Sequence, residues 1–218
     1  MTRRRMCGLL LALAAAPVRP SSAQRPVAVG LDHIPVAVRD LDAAAAVYRA
    51  LGFALKPGRP HPNGLRNTHV KFPDGAGLEL LTAPSATDGL TAQYVDLLRT
   101  GEGPAFAALH ARDTARLHAL LRAGGYAFRQ EGGLTRLLAP EFSFLFFVRD
   151  NRSPTDRPEH FAHANGATAL GAVWVASEHG PALVRLLASL GGRAERRTVL
   201  VPGTGPAEAT VVGLSSGE

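Results

Sequence analysis

Residues 31–53 read LDHIPVAVRDLDAAAAVYRALGF, a complete strand-then-helix unit. Successive strand side chains point to opposite sides. Alternation therefore predicts Leu31, His33, Pro35 and Ala37 on one face and Ile34, Val36 and Val38 on the other. The branched face suits packing against the helix that follows. Arg39-Asp40 breaks the strand, and the Asp40 carboxylate is placed to accept a hydrogen bond from a free first-turn amide. Ala44, Val47 and Leu51 recur at helical spacing, which predicts one buried helix face. Gly52 then closes the helix, because glycine tolerates the left-handed backbone of a helix C-terminus.

The same unit recurs twice. The second copy, Ala105 to Phe128, runs AFAALHA, Arg112-Asp113, TARLHALLRA and Gly124-Gly125; the third, from Leu170, runs LGAVWVA, Ser177-Glu178, PALVRLLASL and Gly191-Gly192. Asp113 and Ser177 stand where Asp40 caps the first helix. Leu117, Leu120 and Leu121, and then Leu183, Leu186, Leu187 and Leu190, mark the buried faces. Between the helices, His69 to Phe72 and Gly77 to Thr82 flank the turn formers Pro73-Asp74-Gly75 and predict a hairpin. Phe142 to Val148 is a further apolar strand. Thr198 to Val201 and Ala209 to Leu214 predict a closing hairpin. Two stretches are irregular: Ala83 to Pro104, with a short helix near Thr91 to Arg99, and Arg149 to Thr168. Loops of this length commonly serve as lids or binding loops. The class is α+β.

The N-terminus reads as an export signal. Arg3, Arg4 and Arg5 precede an apolar run from Cys7 to Val18, and Ser21-Ser22-Ala23 offers a small-residue cleavage site. Residues 1–23 are therefore expected to be a signal peptide, and the mature chain to be periplasmic or secreted. Thr2-Arg3-Arg4-Arg5-Met6 also fits a twin-arginine signal. The formal charge of +6 then shrinks, because Arg3, Arg4, Arg5 and Arg19 leave and the remaining basic residues exceed the 18 acidic ones by two. A near-neutral chain carries no footprint for nucleic acid. The single cysteine, Cys7, leaves as well. That excludes a cysteine nucleophile and thiolate metal ligands in the mature chain, which is expected to have no membrane span.

Two residues stand out for chemistry. His33 lies beside the small Pro35 and Ala37, which leave room for a ligand; a solvent-facing histidine is the plainer alternative. Glu79 lies mid-strand in Gly77-Leu78-Glu79-Leu80-Leu81, on a wet face or held by a partner, since burying a lone carboxylate is costly. A histidine nitrogen and a carboxylate oxygen are natural ligands for Zn²⁺, Fe²⁺, Mn²⁺ or Ni²⁺. No G-x-S-x-G, H-E-x-x-H or Walker-type loop occurs.

The stretch LDHIPVAVRDLDAAAAVYRALGF, followed by RNTHVKFPDGAGLELL, resembles the opening module of the vicinal oxygen chelate superfamily, and of its glyoxalase-like domain proteins in particular. The resemblance implies repeated βαβββ modules forming an open, curved mixed β-sheet barrel with helices outside. A glyoxalase-like domain would span 28–216, with module one at about 30–82 and later modules at about 104–148 and 168–214. It also implies a divalent metal held by the first and fourth strands, at His33 and Glu79. The later modules depart from the pattern. Phe106 and Leu170 align with His33, and Leu145-Phe146-Phe147-Val148 offers no acid matching Glu79.

Help could come from a local repeat, His61-Pro62-Asn63-Gly64 and His163-Ala164-Asn165-Gly166. Asn-Gly forms turns readily, so both are plain loop turns, or else His163 approaches the barrel mouth as a third ligand or general base. Arg66, Asn67 and His69 are substrate-binding candidates, Arg66 through a bidentate contact with a carboxylate. His110, His118 and His179 are expected to be structural. Two functions follow. One is a metal-dependent lyase, isomerase or dioxygenase acting on a small oxygen-rich substrate; the other is a non-catalytic protein that binds or sequesters a small molecule. Pairing between chains, as a homodimer, stays open.

Overall fold

A computed structural model describes residues 28–149 and 152–191, with the backbone of two further strands at 194–200 and 208–214. The expected signal segment, 1–23, lies outside the described residues. Module one comprises β1 (Ala28–Ala37), α1 (Leu41–Ala50), β2 (Lys56–Pro57), β3 (Arg66–Lys71) and β4 (Gly77–Thr82). A linker carries α2 (Gly89–Thr100) and β5 (Gly103–Pro104). Module two repeats the order with β6 (Ala107–Ala111), α3 (Thr114–Ala123), β7 (Phe128–Glu131), β8 (Leu134–Leu137) and β9 (Leu145–Val148). A shorter third unit follows: β10 (Val173–Ser177), α4 (Gly180–Ser189), β11 (Ala194–Leu200) and β12 (Glu208–Leu214).

Modules one and two share a nine-stranded mixed sheet in the order β2-β3-β4-β1-β6-β9-β8-β7, with β5 also paired to β1. β1 is the seam, running parallel to β4 and antiparallel to β6. The third unit forms its own three-stranded sheet, β10-β12-β11, which contains the expected closing hairpin. The α+β class and the open, modular sheet match the sequence. Four short strands, β2, β5, β7 and β8, were not legible in it, and the strand expected from Phe142 starts only at Leu145, after a 3₁₀ turn at Pro140–Phe142. No helix among the described residues is long and apolar enough to cross a membrane.

One face of the large sheet carries the core. Ile34, Val36, Leu80, Leu109 and Phe147 pack there with Leu117 and Leu121 of α3 and with Leu183, Leu186, Leu187 and Leu190 of α4. Burying each such side chain stabilises the fold by about 2 kcal/mol. Caps form as expected at Asp40, which accepts from the Asp42 and Ala43 amides, and at Asp113, which accepts from the Arg116 amide. Ser177 does not cap α4. The helix starts three residues past it, at Gly180 with Pro181 in the first turn, and the Ser177 hydroxyl accepts instead from the His179 amide at 3.0 Å.

β1 departs from strict alternation at the point that matters most. Its pairing with β6 shifts between Leu31↔Leu109 and His33↔Ala108, which makes Asp32 an extra residue, a β-bulge. Leu31 therefore joins Ile34 and Val36 in the core, not His33 as alternation predicted. His33 keeps the opposite, inner face, together with Ala37. The linker helix α2 covers one end of that face, where Tyr94 and Leu98 pack on Ala37, Leu65 and Leu81.

Candidate functional site

The strand registers bring a polar group together on the inner face. β1 pairs Pro35 with Glu79 of β4, and β4 pairs Glu79 with His69 of β3. Alternation then adds His33, two residues before Pro35, and Asn67, two before His69. The His33 Nε2 stands 3.3 Å from the Glu79 Oε2. The other Glu79 oxygen accepts from Asn67 Nδ2 at 2.5 Å, and the same amide nitrogen lies 3.4 Å from His69 Nε2. On its far side, His33 Nδ1 donates to Asp32, its neighbour on the bulge. His33 and Glu79 keep 25% and 16% of their side-chain surface exposed, so the pair is packed but reachable.

These contacts set the charges. Burial alone would depress the His33 imidazole, yet its hydrogen bonds to Asp32 and Glu79 outweigh that and raise it to about 9. Burial pushes the Glu79 carboxyl up, but His33, His69 and Asn67 more than reverse this and bring it to about 2. The two form an ion pair through neutral pH. Burial also lowers the His69 imidazole, which leaves it neutral beside them.

Three of the candidate residues thus gather around His33: Glu79, Asn67 and His69. Arg66 does not. It alternates to the helix side of β3 and makes an exposed 3.3 Å ion pair with Asp42 of α1. His163 does not join them either. Its Nδ1 accepts from the Ala54 amide at 3.0 Å and its Nε2 lies 2.9 Å from the Lys71 carbonyl, to which it donates. That pairing fixes the neutral tautomer with its proton on Nε2 and occupies both nitrogens. The ring is buried between Phe53 and Phe72. The plain account of the two His-x-Asn-Gly copies is the one the structure shows. In each, the glycine amide bonds back to the histidine carbonyl at 3.0 Å, and the asparagine oxygen accepts from the amide two residues on.

The loop that carries His163 does reach the inner face, through a residue the sequence did not single out. Asp156 takes Lys56 Nζ on one oxygen at 2.5 Å and Lys71 Nζ on the other at 2.9 Å, with Lys56 buried and the other two side chains largely so. Asn165 anchors the same loop to the end of α1, donating to the Leu51 carbonyl at 2.8 Å. There Gly52 is required, since its φ is +86° and an added Cβ would come within 2.9 Å of Asn165.

Module two repeats the geometry with different chemistry. Ala108 pairs with Phe146, and Phe146 with Arg136, as Pro35 pairs with Glu79 and Glu79 with His69. Phe106 precedes Ala108 by two residues, as His33 precedes Pro35. So Phe106, Phe146 and Arg136 stand where module one has His33, Glu79 and His69. The two halves meet, with the His33 and Phe146 rings edge-on at 5.7 Å. Tyr94 of α2 stands edge-on to Phe106 at 5.6 Å, and burial pushes its hydroxyl well above the usual phenol range.

A divalent cation fits the first half as an open site. Two donors on one cation, each at about 2.1 Å, stand roughly 3.0–3.4 Å apart at tetrahedral to octahedral angles. The His33–Glu79 separation of 3.3 Å lies in that range. A carboxylate on the distal nitrogen, here Asp32 on Nδ1, is the usual support for a metal-binding histidine. No group of three or more His, Cys, Asp or Glu residues stands ready to hold a metal among the described residues.

The sequence matches the model of the glyoxalase-like domain over residues 31–191, and the chain belongs to that family. Its paired βαβββ modules are those of the vicinal oxygen chelate fold. No curated protein matches the chain. Similar solved structures include a Streptomyces coelicolor methylmalonyl-CoA epimerase variant in complex with 2-nitronate-propionyl-CoA, at 24% identity and TM-score 0.44 over 58% of this chain and 99% of that one. The methylmalonyl-CoA epimerase from Mycobacterium tuberculosis is 21% identical at TM-score 0.46, over 56% and 87%. Another methylmalonyl-CoA epimerase is 15% identical at TM-score 0.49, over 57% and 97%. None of these three reaches a TM-score of 0.5.

The Asp156 latch has a pH signature. Burial would raise its carboxyl, but hydrogen bonds from Lys56, the Ser153 amide and Lys71 bring it down to about 2, against an ordinary 3.8. A depressed carboxyl stabilises the fold above its unfolded value, and that contribution fades as pH falls toward the folded one. Asp156→Asn is expected to cost about 3 kcal/mol at pH 6, because two buried lysines lose their counter-ion. Chemical denaturation of both proteins across pH should show that gap closing between about pH 4 and about pH 2. A gap that is absent at pH 6, or constant down to pH 2, would contradict the latch.

Proposed function

We propose that the protein is a divalent-metal-dependent enzyme of glyoxalase-like type that acts on a small oxygen-rich molecule. The observation that carries this is the His33–Glu79 pair, two donors 3.3 Å apart on the inner face with Asp32 behind the histidine. His33 Nε2 and one Glu79 oxygen would hold the cation, leaving other positions to water and substrate. The cation, of the Zn, Fe, Mn or Ni kind, would supply Lewis acidity toward two neighbouring substrate oxygens and so favour loss of a nearby proton.

The protein's own groups do the rest. Asp32 keeps the proton on His33 Nδ1 and so turns the Nε2 lone pair toward the site. Asn67 holds one Glu79 oxygen and thereby fixes the other against His33. In the free protein the charged His33 donates through Nε2 toward Glu79, and a bound cation would displace that proton. Tyr94 and α2 keep water from one end of the face. His69, neutral and adjacent to Glu79, is placed to accept a proton from a bound molecule. The reaction class, whether lyase, isomerase or dioxygenase, is left to the substrate, since the fold serves all of them.

The second reading, a non-catalytic small-molecule binder, draws its support from the aromatic half of the site and from a ligand set of two. Elemental analysis separates the two readings. The enzyme reading expects about one divalent ion per chain after purification and dialysis, lost in a His33→Ala, Glu79→Ala double variant. Full metal retention in that variant would refute the assignment, and saturable ligand binding that survives chelation would favour the binder.

The export reading is part of the same proposal. It rests on the Arg3-Arg4-Arg5 start, the apolar run and Ser21-Ser22-Ala23. A periplasmic or secreted chain is expected to begin at Gln24, as intact mass would show. Recovery from outside the cytoplasm with Cys7 still attached would contradict it.

A further inference from the structure

Arg136 is left without a counter-charge. Asp32 and Glu79 flank His33, and Asp156 takes both Lys56 and Lys71. Among the described residues, the Arg136 guanidinium makes no hydrogen bond and no ion pair. It lies over two aromatic rings, 5.0 Å from the centroid of Phe146 and 5.5 Å from that of Phe106. Glu131 and Glu141 are the nearest acids along the chain and neither pairs with it; Glu131 is exposed at the edge of the sheet and pairs with Arg129 at 3.4 Å. Arg136 is half-buried, and burial lowers its basicity.

A half-desolvated guanidinium with no carboxylate is costly, and cation–π contact with two rings offsets only part of that cost. The two rings stand at 71° to each other, so they meet the cation from two sides, and the N–H groups of its planar fork, which matches a carboxylate, have no partner among the described residues. The Phe146 ring that carries Arg136 also meets the His33 ring at 5.7 Å, so one side chain joins the cation to the His33–Glu79 pair. A phosphate would call for several donors, and the two lysines that might supply them are held by Asp156.

We propose that Arg136, held by Phe106 and Phe146, binds the carboxylate of a small 2-oxo or 2-hydroxy acid whose remaining oxygen faces His33 and Glu79. This rests on the inner face being the ligand site, and it names the substrate class that the function above leaves open. The pseudo-symmetry of the two modules then has a use. Module one supplies the donors for the reacting end of the molecule, and module two supplies a cation on an aromatic bed for its acid end.

The test is titration calorimetry on the mature chain loaded with Zn²⁺. The probes are pyruvate and phenylglyoxylate, with butane-2,3-dione and 1-phenylpropane-1,2-dione as partners that keep the adjacent oxygens but lack the charge. At least one acid is expected to bind the wild-type chain more tightly than its dione. Arg136→Gln is expected to weaken that acid by about ten- to a hundredfold and leave the dione within about twofold, since a charge-assisted bidentate contact is lost. Arg136→Lys should recover only part of the loss. Equal thermal stability of the three proteins shows that the change lies in binding. Acid binding indifferent to Arg136, no binding of either acid, or tighter binding of inorganic phosphate than of either acid would overturn the proposal. Metal content, read separately, keeps the two claims apart. A chain that holds no metal yet needs Arg136 for the acid refutes the metal reading alone, and a metal-loaded chain that ignores Arg136 refutes this one alone.

Discussion

The site depends on the register of β1. That strand is held by β4 on one edge and by β6 on the other, and a slip of one residue would send His33 into the core and Ile34 to the inner face. The apolar set Ile34, Val36 and Val38 prevents the slip, because each is buried against the helix layer. The bulge at Asp32 then spends one residue inside a strand whose pairing is otherwise locked. It turns Leu31 into the core and leaves a carboxylate on the same side as the next residue's imidazole. A strand packed for stability thereby presents an oriented, charged histidine.

The two halves of the sheet show how one scaffold yields two chemistries. The pairing geometry around Glu79 and around Phe146 is the same, so the backbone alone does not decide what either position does. Side-chain substitution at three equivalent places separates a donor cluster from an aromatic bed with a single cation. Charge balance keeps the arrangement tolerable. The His33–Glu79 pair balances itself, Asp156 offsets part of the charge of the two lysines it bridges, and the half-buried Arg136 makes no ion pair among the described residues.

Much of the fold was legible because it repeats. The three strand–helix units, the caps at Asp40 and Asp113 and the hairpin around Pro73-Asp74-Gly75 follow from local patterns, but the buried face of α1 was misread: Leu41 and Ala45 are buried, whereas Val47 and Leu51 are exposed. His33, Glu79, Asn67 and His69 were legible as a group because alternation places residues two apart on one face. Leu31 was misplaced, since a bulge leaves no mark in the pattern of one strand and appears only in its pairing. Arg66 and His163 were drawn toward the site by residue type. A parity count along β3 would have sent Arg66 to the helix side, whereas the engagement of both His163 nitrogens with backbone groups is visible only in three dimensions. Asp156, Tyr94 and Arg136 were missed because their partners lie far away in sequence or, for Arg136, because β8 was not recognised as a strand.

The central claim is that His33 and Glu79 act together as the donor pair, with Asp32 fixing the tautomer. A long-range proton–nitrogen NMR spectrum of the mature chain, titrated with Zn²⁺, tests it most directly. The account predicts that His33 Nε2 shifts to a metal-bound position while Nδ1 stays protonated, that His163 does not respond, and that Glu79→Gln abolishes the shift. A titration in which His163 or a surface histidine takes the metal while His33 stays unchanged would contradict it.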